Sequence, residues 1–218
     1  MSIPFQDSET AKNLLRAFAG ESQARNRYDF AANLCQKQEL QAMAFIFQAT
    51  AKQEQAHAKV FWDHLQALNG QNLPIYGAYP IEGTNRILEL LRAAQHNEHE
   101  EHGSVYPSFA AIATQEGFPE AAASFRQIAA IEQLHGERFG LLADQLESGA
   151  LFVSQIETGW MCLNCGHTQN SLEAPKQCPV CNHGQGWFIR LELAPWSPVV
   201  KQTRIKNYAA SGAASKTG

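Results

Sequence analysis

Glutamate and histidine stand three residues apart at two places in the chain, in Glu54-x-x-His57 and Glu132-x-x-His135. Residues three apart lie on one face of an α-helix, so each motif presents a carboxylate beside an imidazole. Phe125 lies seven residues before Glu132, and other apolar residues recur around it at helical spacing. Both motifs therefore predict helices whose carboxylate and imidazole face the protein interior, where such groups are typical metal ligands.

Each of four glutamates has an apolar or aromatic residue seven positions before it and another seven positions after it. This spacing places the four glutamates on the buried sides of their helices. They are Glu21 (between Leu14 and Tyr28), Glu54 (Phe47 and Phe61), Glu98 (Leu91 and Val105) and Glu132 (Phe125 and Phe139). Glu21 and Glu54 are 33 positions apart, and Glu98 and Glu132 are 34 apart, so the arrangement repeats. Two helical hairpins related by a pseudo-two-fold axis would bring the four carboxylates together.

Buried carboxylates need a compensating charge. Each uncompensated one costs on the order of several kcal/mol, which a domain with a margin of about 5–15 kcal/mol cannot bear repeatedly. Arginines on the same lines are too few to pair with all four. A single Glu-x-x-His motif is usually an ordinary polar pair, but two of them with two further inward glutamates predict a two-metal carboxylate site. The ligand types favour iron or manganese, with zinc possible.

The run HNEHEEH from His96 to His102 adds further candidates. Glu101 lies three residues after Glu98 and could be a fifth carboxylate, although a solvated charged turn is the alternative. We expect His96, His99 and His102 to face solvent or to lie behind the ligands.

Four cysteines form two Cys-x-x-Cys pairs, Cys162 with Cys165 and Cys178 with Cys181, separated by twelve residues. This spacing predicts a tetrahedral four-thiolate metal site. Spacing alone does not distinguish zinc from iron. In a chain that also carries a two-metal site, a four-thiolate iron could act as a relay that passes one electron at a time to that site.

The elements that must position these groups are four long helices, predicted over residues 9–36, 39–68, 85–116 and 119–147. Asp7 to Thr10 supplies capping residues for the first, and Thr84 for the third. The connection between the second and third helices is long and the other two are short, which is the ferritin-like topology. We therefore predict a mainly α protein: a ferritin-like four-helix bundle over residues 1–149, a small metal-binding four-cysteine domain over 150–194, and a partly disordered extension over 195–218.

Composition excludes several classes of partner. The 218-residue chain has a formal net charge of −4 and scattered basic residues, which gives no surface for nucleic acid. No run of about 18 apolar residues could span a bilayer. The start lacks the features of a secretory signal, so we expect a cytoplasmic protein without a membrane partner.

Several segments, in this order, resemble the rubrerythrins. They are GESQARNRY (20–28), QEQAHA (53–58), Glu98-x-x-Glu101 followed by Tyr106-Pro107, IEQLHGERF (131–139), and CLNCGH with CPVC in the cysteine region. The resemblance covers residues 9–190. The imidazoles of His99 and His102 depart from the usual pattern of the family, and the tail from Ala194 lies outside it.

The resemblance implies a ligand set. The two irons of the bundle would be held by Glu21, Glu54, Glu98, Glu101, Glu132 and His135, with Glu54 and Glu132 bridging. His57 would replace Glu101 on one iron upon reduction. Tyr28 and Tyr106 would hydrogen-bond to carboxylates of the site, although ordinary core tyrosines are the alternative. The resemblance also implies that residues 150–194 form a rubredoxin-like domain, whose iron would be bound by Cys162, Cys165, Cys178 and Cys181.

The resemblance also implies the function: a non-haem di-iron peroxidase that reduces hydrogen peroxide to water in oxidative stress defence. Electrons would come from a reduced-nicotinamide-dependent reductase or a rubredoxin, and pass through the four-thiolate iron. A homodimer is expected, because one subunit's cysteine domain would face the bundle of the other. A ferritin-like ferroxidase that handles iron is the alternative, and a zinc-stapled interaction module is a third possibility.

Overall fold

A computed structural model of the chain describes residues 3–194. The chain divides after Val153 into two compact units, the first helical and the second built on a small sheet. The boundary predicted after Gly149 falls in the turn between the last helix and the first strand, where Gly149 has a φ of 70°. The predicted extension over 195–218 lies outside the described residues.

The helical unit confirms the predicted four-helix bundle, with one helix interrupted. Its α-helices are α1 (Glu9–Lys37), α2 (Gln41–His64), α3 (Ile87–Glu100), α4 (Tyr106–Glu116) and α5 (Pro119–Glu147). Helix α2 ends at His64 and continues as a 3-10 turn over Leu65–Leu68. Helix α1 packs mainly on α2, while α3 and α4 pack on α5. These are the two hairpins that the repeated spacing indicated.

Short polar contacts define the helix ends. Ser8 caps α1, as its hydroxyl oxygen accepts a hydrogen bond from the Ala11 N–H at 3.1 Å. Helix α4 ends at Gly117, whose φ of 86° suits glycine. The prediction for Thr84 was wrong in detail: Arg86 is the N-cap of α3, and Thr84 instead accepts from the Arg86 N–H at 3.1 Å.

The third predicted helix is interrupted between α3 and α4 by a π-helical turn over residues 101–105. Bonding from residue i to i+5 fits an additional residue into the turn, and such turns are frequent at functional sites. This turn begins at Glu101, a candidate ligand. The α-helical spacing used for residues 85–116 therefore does not hold through this segment.

Two glycines of α5 let α3 approach closely. A Cβ atom on Gly136 would lie 2.4 Å from the His99 ring, and one on Gly140 would lie 2.3 Å from the Gln95 amide. Both side chains therefore pack directly on the α5 backbone. The approach brings the α3 carboxylate Glu98 against α5.

The segment between α2 and α3, residues 69–86, is called the crossover segment. It contains no helix or strand from residue 71 onward. Its carbonyl at Tyr76 accepts from Arg16 Nε at 2.9 Å, and its Glu82 carboxylate lies 3.2 Å from Arg27 Nε. Asn97 of α3 also donates to Glu82 at 2.7 Å. The segment is thus tied by polar contacts to α1 and α3.

The second unit is a three-stranded sheet with the order β2-β1-β3, formed by β1 (Val153–Cys162), β2 (Thr168–Glu173) and β3 (Phe188–Arg190). Strands β1 and β3 are antiparallel, and Cys162 lies opposite Phe188. Trp160 and Phe188 are buried, and the Trp160 indole N–H donates to the Ser171 carbonyl at 3.1 Å.

Across residues 3–194, none of the helices combines the length and the apolarity that crossing a bilayer requires.

Candidate metal centres

Two overlapping groups of buried ligands lie inside the bundle. One contains Glu21, Glu54, His57 and Glu132, the other contains Glu54, Glu98, Glu132 and His135, and the ligand atoms of each lie within 4.8 Å of one another. Helices α1, α2 and α5 supply the first group, and α2, α3 and α5 supply the second. The four bundle segments thus converge on one place, as the pseudo-repeat predicted.

Glu54 and Glu132 belong to both groups, and each directs one oxygen into each group. His57 Nδ1 lies 3.1 Å from Glu54 Oε2 and 2.9 Å from Glu132 Oε1. His135 Nδ1 lies 3.0 Å from Glu54 Oε1 and 2.8 Å from Glu132 Oε2. Carboxylates placed in this way can bridge two cations.

Glu21 and Glu98 each belong to one group, and a tyrosine holds the outer oxygen of each. Tyr106 donates its hydroxyl hydrogen to Glu21 Oε1, and Tyr28 donates to Glu98 Oε1. The inner oxygens lie 3.7 Å from His57 Nδ1 for Glu21 and 3.6 Å from His135 Nδ1 for Glu98. Glu21 and Glu98 are therefore each oriented with one oxygen toward the group to which they belong.

The donor set fits a pair of divalent cations. Several buried atoms that face the two groups contact one another or His57 without the geometry of a hydrogen bond within the described residues: Glu21 Oε2, Glu54 Oε1, Glu98 Oε2, both oxygens of Glu132, and His135 Nδ1. Buried polar atoms without partners are rare in proteins, because each costs about 1–3 kcal/mol. Two cations would satisfy all of them at once.

The pKa values of four of these side chains indicate the same need for positive charge. Burial raises the pKa of Glu21 to about 8 and that of Glu98 to about 7. Burial alone would lower the pKa of His57 and His135, but the surrounding carboxylates outweigh it and raise these values to about 12 and about 11. The set therefore holds protons unless cations replace them.

Glu101 lies at the edge of this arrangement. It is half-buried and belongs to neither group of four, whereas His57 is 6% exposed and lies in the first group. Burial, followed by the charges of Glu21, Glu98, Glu132 and Glu54, holds the pKa of Glu101 well above its ordinary value. The structure thus brings His57 among the ligands and leaves Glu101 beside them.

The three histidines of the HNEHEEH run do not enter the ligand groups. His96 and His99 are exposed. His102 is half-buried, and its Nδ1–H donates to the Ala129 carbonyl at 2.8 Å, which ties the π turn to α5. Their expected place at the surface or behind the ligands agrees with this arrangement.

Sequence reasoning missed Gln53, which immediately precedes Glu54. Its side-chain oxygen lies 2.9 Å from His135 Nε2 and accepts that nitrogen's hydrogen, so Nδ1 is left free to bind a cation. Such partners fix the tautomer and the orientation of a ligand. Gln53 is exposed. No periodicity would have marked it, and only its place beside Glu54 hinted at a role.

Aromatic side chains close the bundle site from both ends. Tyr28, Phe47 and Phe139 contact one another at one end, with ring centroids 5.0 to 5.9 Å apart. The other end is closed in the same way by Phe61, Tyr106 and Phe125. Eight residues lie seven positions before or after the four glutamates, and all of them except Val105 are buried.

The second candidate centre is formed by the four cysteines of the sheet unit. The sulfurs of Cys162 and Cys181 are 3.7 Å apart, and those of Cys165 and Cys178 are 3.6 Å apart. All four sulfurs lie within 4.8 Å of one another. Four converging thiols suit a tetrahedral Zn or Fe site.

The two loops that carry the thiols have the same backbone path. Cys162 N–H donates to the His167 carbonyl and Cys178 N–H donates to the His183 carbonyl, both at 2.8 Å. Gly166 and Asn182, at equivalent positions, have positive φ values of 78° and 67°. The loops thus direct the thiols to one point.

The four thiols are not equivalent in their surroundings. The backbone N–H of His183 lowers the pKa of the Cys181 thiol to about 5, whereas burial raises the pKa of Cys162 to about 12. Cys165 is exposed, and Cys162 and Cys178 are buried. One edge of this centre therefore faces solvent.

Comparison with protein families gives two matches. A family profile described as rubrerythrin matches residues 12–143, and one described as the rubredoxin-like domain of rubrerythrin matches residues 160–189. The rubrerythrin of Porphyromonas gingivalis is 44% identical over 188 residues, which cover 86% of this chain and 92% of that protein.

Solved structures resemble the chain at the level of fold. A structure described as the fully reduced, all-ferrous state of nigerythrin has a TM-score of 0.56 and 25% identity, and covers 84% of this chain and 90% of its own. The bacterioferritin BfrA of Mycobacterium tuberculosis has a TM-score of 0.57 at 18% identity, and covers 65% of this chain and 88% of its own. The latter supports the ferritin-like fold alone. The bundle groups are thus a candidate di-iron carboxylate site, and the four thiols form a rubredoxin-like site.

Proposed function

Because the chain belongs to the rubrerythrin family, we propose that it is a hydrogen peroxide reductase that uses electrons from a reduced-nicotinamide-dependent reductase or a rubredoxin. The family supports the coarser role, an oxidoreductase of oxidative stress defence. One observation carries the finer proposal: a buried two-cation ligand set and a four-thiolate site occur in the same chain. A protein that only stored iron would have no use for the second site.

In this proposal Glu21, Glu54, Glu98, Glu101, Glu132 and His135 ligate the irons of the bundle. Glu54 and Glu132 would be shared by both irons, which the direction of their oxygens toward both groups supports. When bound, two ferrous ions supply the two electrons that cleave the O–O bond. With two protons, hydrogen peroxide is then converted to two molecules of water.

Tyr28 and Tyr106 would keep the carboxylates of Glu98 and Glu21 oriented while the metal charge changes. His57 and Glu101 would each be able to hold the same iron, in different oxidation states, which the position of His57 among the carboxylates with Glu101 beside them supports. Burial, followed by the charge of Glu98, raises the pKa of Tyr28 well above its ordinary value. Its hydroxyl therefore remains a hydrogen-bond donor to Glu98, and Tyr106 serves Glu21 likewise.

The four cysteines would hold the iron that accepts electrons from the donor. The exposed Cys165 gives a donor protein an approach to the centre. The chain acts in the cytoplasm, where a reducing environment keeps such thiols available for metal. It functions as a homodimer, in which one subunit's cysteine domain serves the bundle of the other. A sedimentation measurement that found a monomer with full turnover would exclude the dimer.

Metal content, a visible spectrum and stopped-flow mixing test the proposal together. The purified protein should contain iron at both centres and show thiolate-to-iron absorption. After chemical reduction, hydrogen peroxide should oxidise the bundle site much faster than dioxygen does. Faster oxidation by dioxygen would instead favour a ferroxidase, and a colourless zinc protein would favour an interaction module.

A further inference from the structure

Five of the bundle ligands have almost no contact with solvent, whereas His57 is 6% exposed. Glu21, Glu54, Glu98, Glu132 and His135 are each at most 1% exposed, whereas Glu101 is half-buried. A cavity of about 310 Å³ reaches Glu101 and Tyr106 from outside the bundle. A small molecule that moves toward the ligands through this cavity meets Glu101 first.

The crossover segment forms the outer wall of this cavity. Gly77, Tyr79 and Pro80 line it on one side, and Gly20 and Glu101 line it on the other. A Cβ atom on Gly20 would lie 3.6 Å from Tyr79 Cε1 and 3.9 Å from Glu101 Oε1. The space beside Gly20 is therefore bordered by the Tyr79 ring and the carboxylate of Glu101, and a single methyl group there would contact both.

Polar contacts hold the Tyr79 ring beside this space. Its hydroxyl donates to the Arg16 carbonyl at 3.0 Å, and Arg16 Nε holds the Tyr76 carbonyl at 2.9 Å. Three residues farther along, Glu82 binds Arg27 and Asn97. Side chains of the segment such as Ile81, 96% exposed, do not anchor it in the core. The position of the ring thus depends on a few hydrogen bonds and ion pairs.

We propose that Tyr79 is a specificity-determining residue that limits access to the bundle site to small peroxides. Hydrogen peroxide reaches Glu101 through the cavity that Tyr79 and Gly20 line, whereas an organic hydroperoxide is held back by its alkyl or aryl group. This inference rests on the proposed peroxidase function. Both substrates take two electrons and two protons, and the organic one gives an alcohol and water, so chemistry alone would not discriminate between them.

The test compares the second-order rate constants of the reduced protein with hydrogen peroxide and with cumene hydroperoxide. Tyr79→Ala should raise the rate constant for cumene hydroperoxide relative to that for hydrogen peroxide by about tenfold or more, since pocket shape commonly supplies such factors. Tyr79→Phe retains the ring and should preserve the ratio. Tyr76→Ala, at a side chain that is 86% exposed on the same segment, is the matched control and should also leave it unchanged.

Gly20→Ala tests the other wall. The added methyl group meets both neighbours at ordinary van der Waals distance and lies in a helix, where alanine is favoured over glycine. We expect a higher melting temperature together with slower oxidation by hydrogen peroxide. Azide binding to the oxidised protein, followed in the visible spectrum, should slow in parallel and does not depend on turnover.

The outcomes separate the two proposals. If the wild-type protein reduces no peroxide, the proposed function is wrong. Independently of turnover, an unchanged azide-binding rate in Gly20→Ala would contradict access to the bundle site through the cavity beside Gly20. If hydrogen peroxide is reduced but Tyr79→Ala leaves the peroxide ratio unchanged, the filter is wrong while the function stands. A changed ratio in Tyr76→Ala would also overturn it, because general loosening of the segment would then explain the effect.

Discussion

At the scale of single residues, the bundle site is defined by carboxylates that the core would not otherwise tolerate. Glu132 is fully buried, and its two oxygens contact the two histidines, His57 at 2.9 Å and His135 at 2.8 Å, without the geometry of a hydrogen bond. Glu54 faces it across the site and likewise sends one oxygen to each histidine. Each carboxylate is stable in this position only if positive charge lies between them.

Glu54→Ala should therefore remove iron from both positions of the bundle and leave the thiolate-to-iron absorption intact. Metal analysis with a visible spectrum measures both. Asp63→Ala changes a carboxylate of the same helix that is 55% exposed, and should keep all iron. Retention of both bundle irons in Glu54→Ala would contradict the bridging assignment.

Gln53→Leu should weaken metal binding without damaging the fold, because Gln53 is exposed but accepts the hydrogen of His135 Nε2. Loss of such a partner typically lowers metal affinity by about 10- to 100-fold. Competition with a chelator measures the affinity, and circular dichroism checks the helices. Gln55→Leu, at an exposed position of the same helix, is the control; equal affinities in both variants would remove the role given to Gln53.

At the scale of elements, the junction of α4 with the start of α1 shows how distant segments close the bundle. The Glu116 carboxylate accepts hydrogen bonds from the Glu9 N–H at 3.0 Å and from the Thr10 N–H at 2.8 Å. It thereby satisfies two backbone donors that the first turn of a helix leaves free. The last residue of α4 thus caps the first helix of the chain.

Glu116→Gln should lower the free energy of unfolding by about 1 kcal/mol at neutral pH, the usual value of a helix cap. Burial alone would raise the pKa of Glu116, but hydrogen bonds from Thr10 and Glu9 outweigh it, and the pKa lies below its ordinary value. The stabilisation is thus complete above the unfolded pKa and disappears as the pH falls through the lower folded pKa. Urea unfolding at several pH values measures it, with the exposed Glu39→Gln as control; a difference that persists in acid would contradict this account.

The π turn over residues 101–105 is the element that most alters the site. It begins at Glu101 and leads into Tyr106, whose hydroxyl holds Glu21 on a different helix. His102 fastens it to α5 through the Ala129 carbonyl. An uninterrupted α-helix would rotate Tyr106 relative to Glu98, since one residue turns the helix by about 100°. The turn therefore allows both residues to face the site.

At the scale of the whole molecule, the proposal depends on two centres that serve one reaction. Cys162→Ser should stop turnover driven by an external reductase, because it removes a thiolate of the proposed relay. The same variant, reduced chemically, should still be oxidised by hydrogen peroxide. Steady-state turnover and stopped-flow mixing measure the two properties, and the bundle iron content is the control. Unchanged turnover would remove the relay role.

The sequence by itself determined the parts that depend on local spacing. The Glu-x-x-His motifs, the heptad neighbours of the four glutamates and the Cys-x-x-Cys pairs predicted the bundle, its inward carboxylates and the four-thiolate site. These predictions succeed because helical periodicity and short loops are properties of neighbouring residues.

Only the tertiary structure decided the contacts between distant segments. Which oxygen of Glu54 faces which histidine, the bond from His135 to Gln53, and the π turn at Glu101 all depend on how four helices pack together. The place of Tyr79 opposite Gly20 has the same origin. No periodicity along the chain encodes such contacts, because their energy arises only when residues far apart in sequence meet.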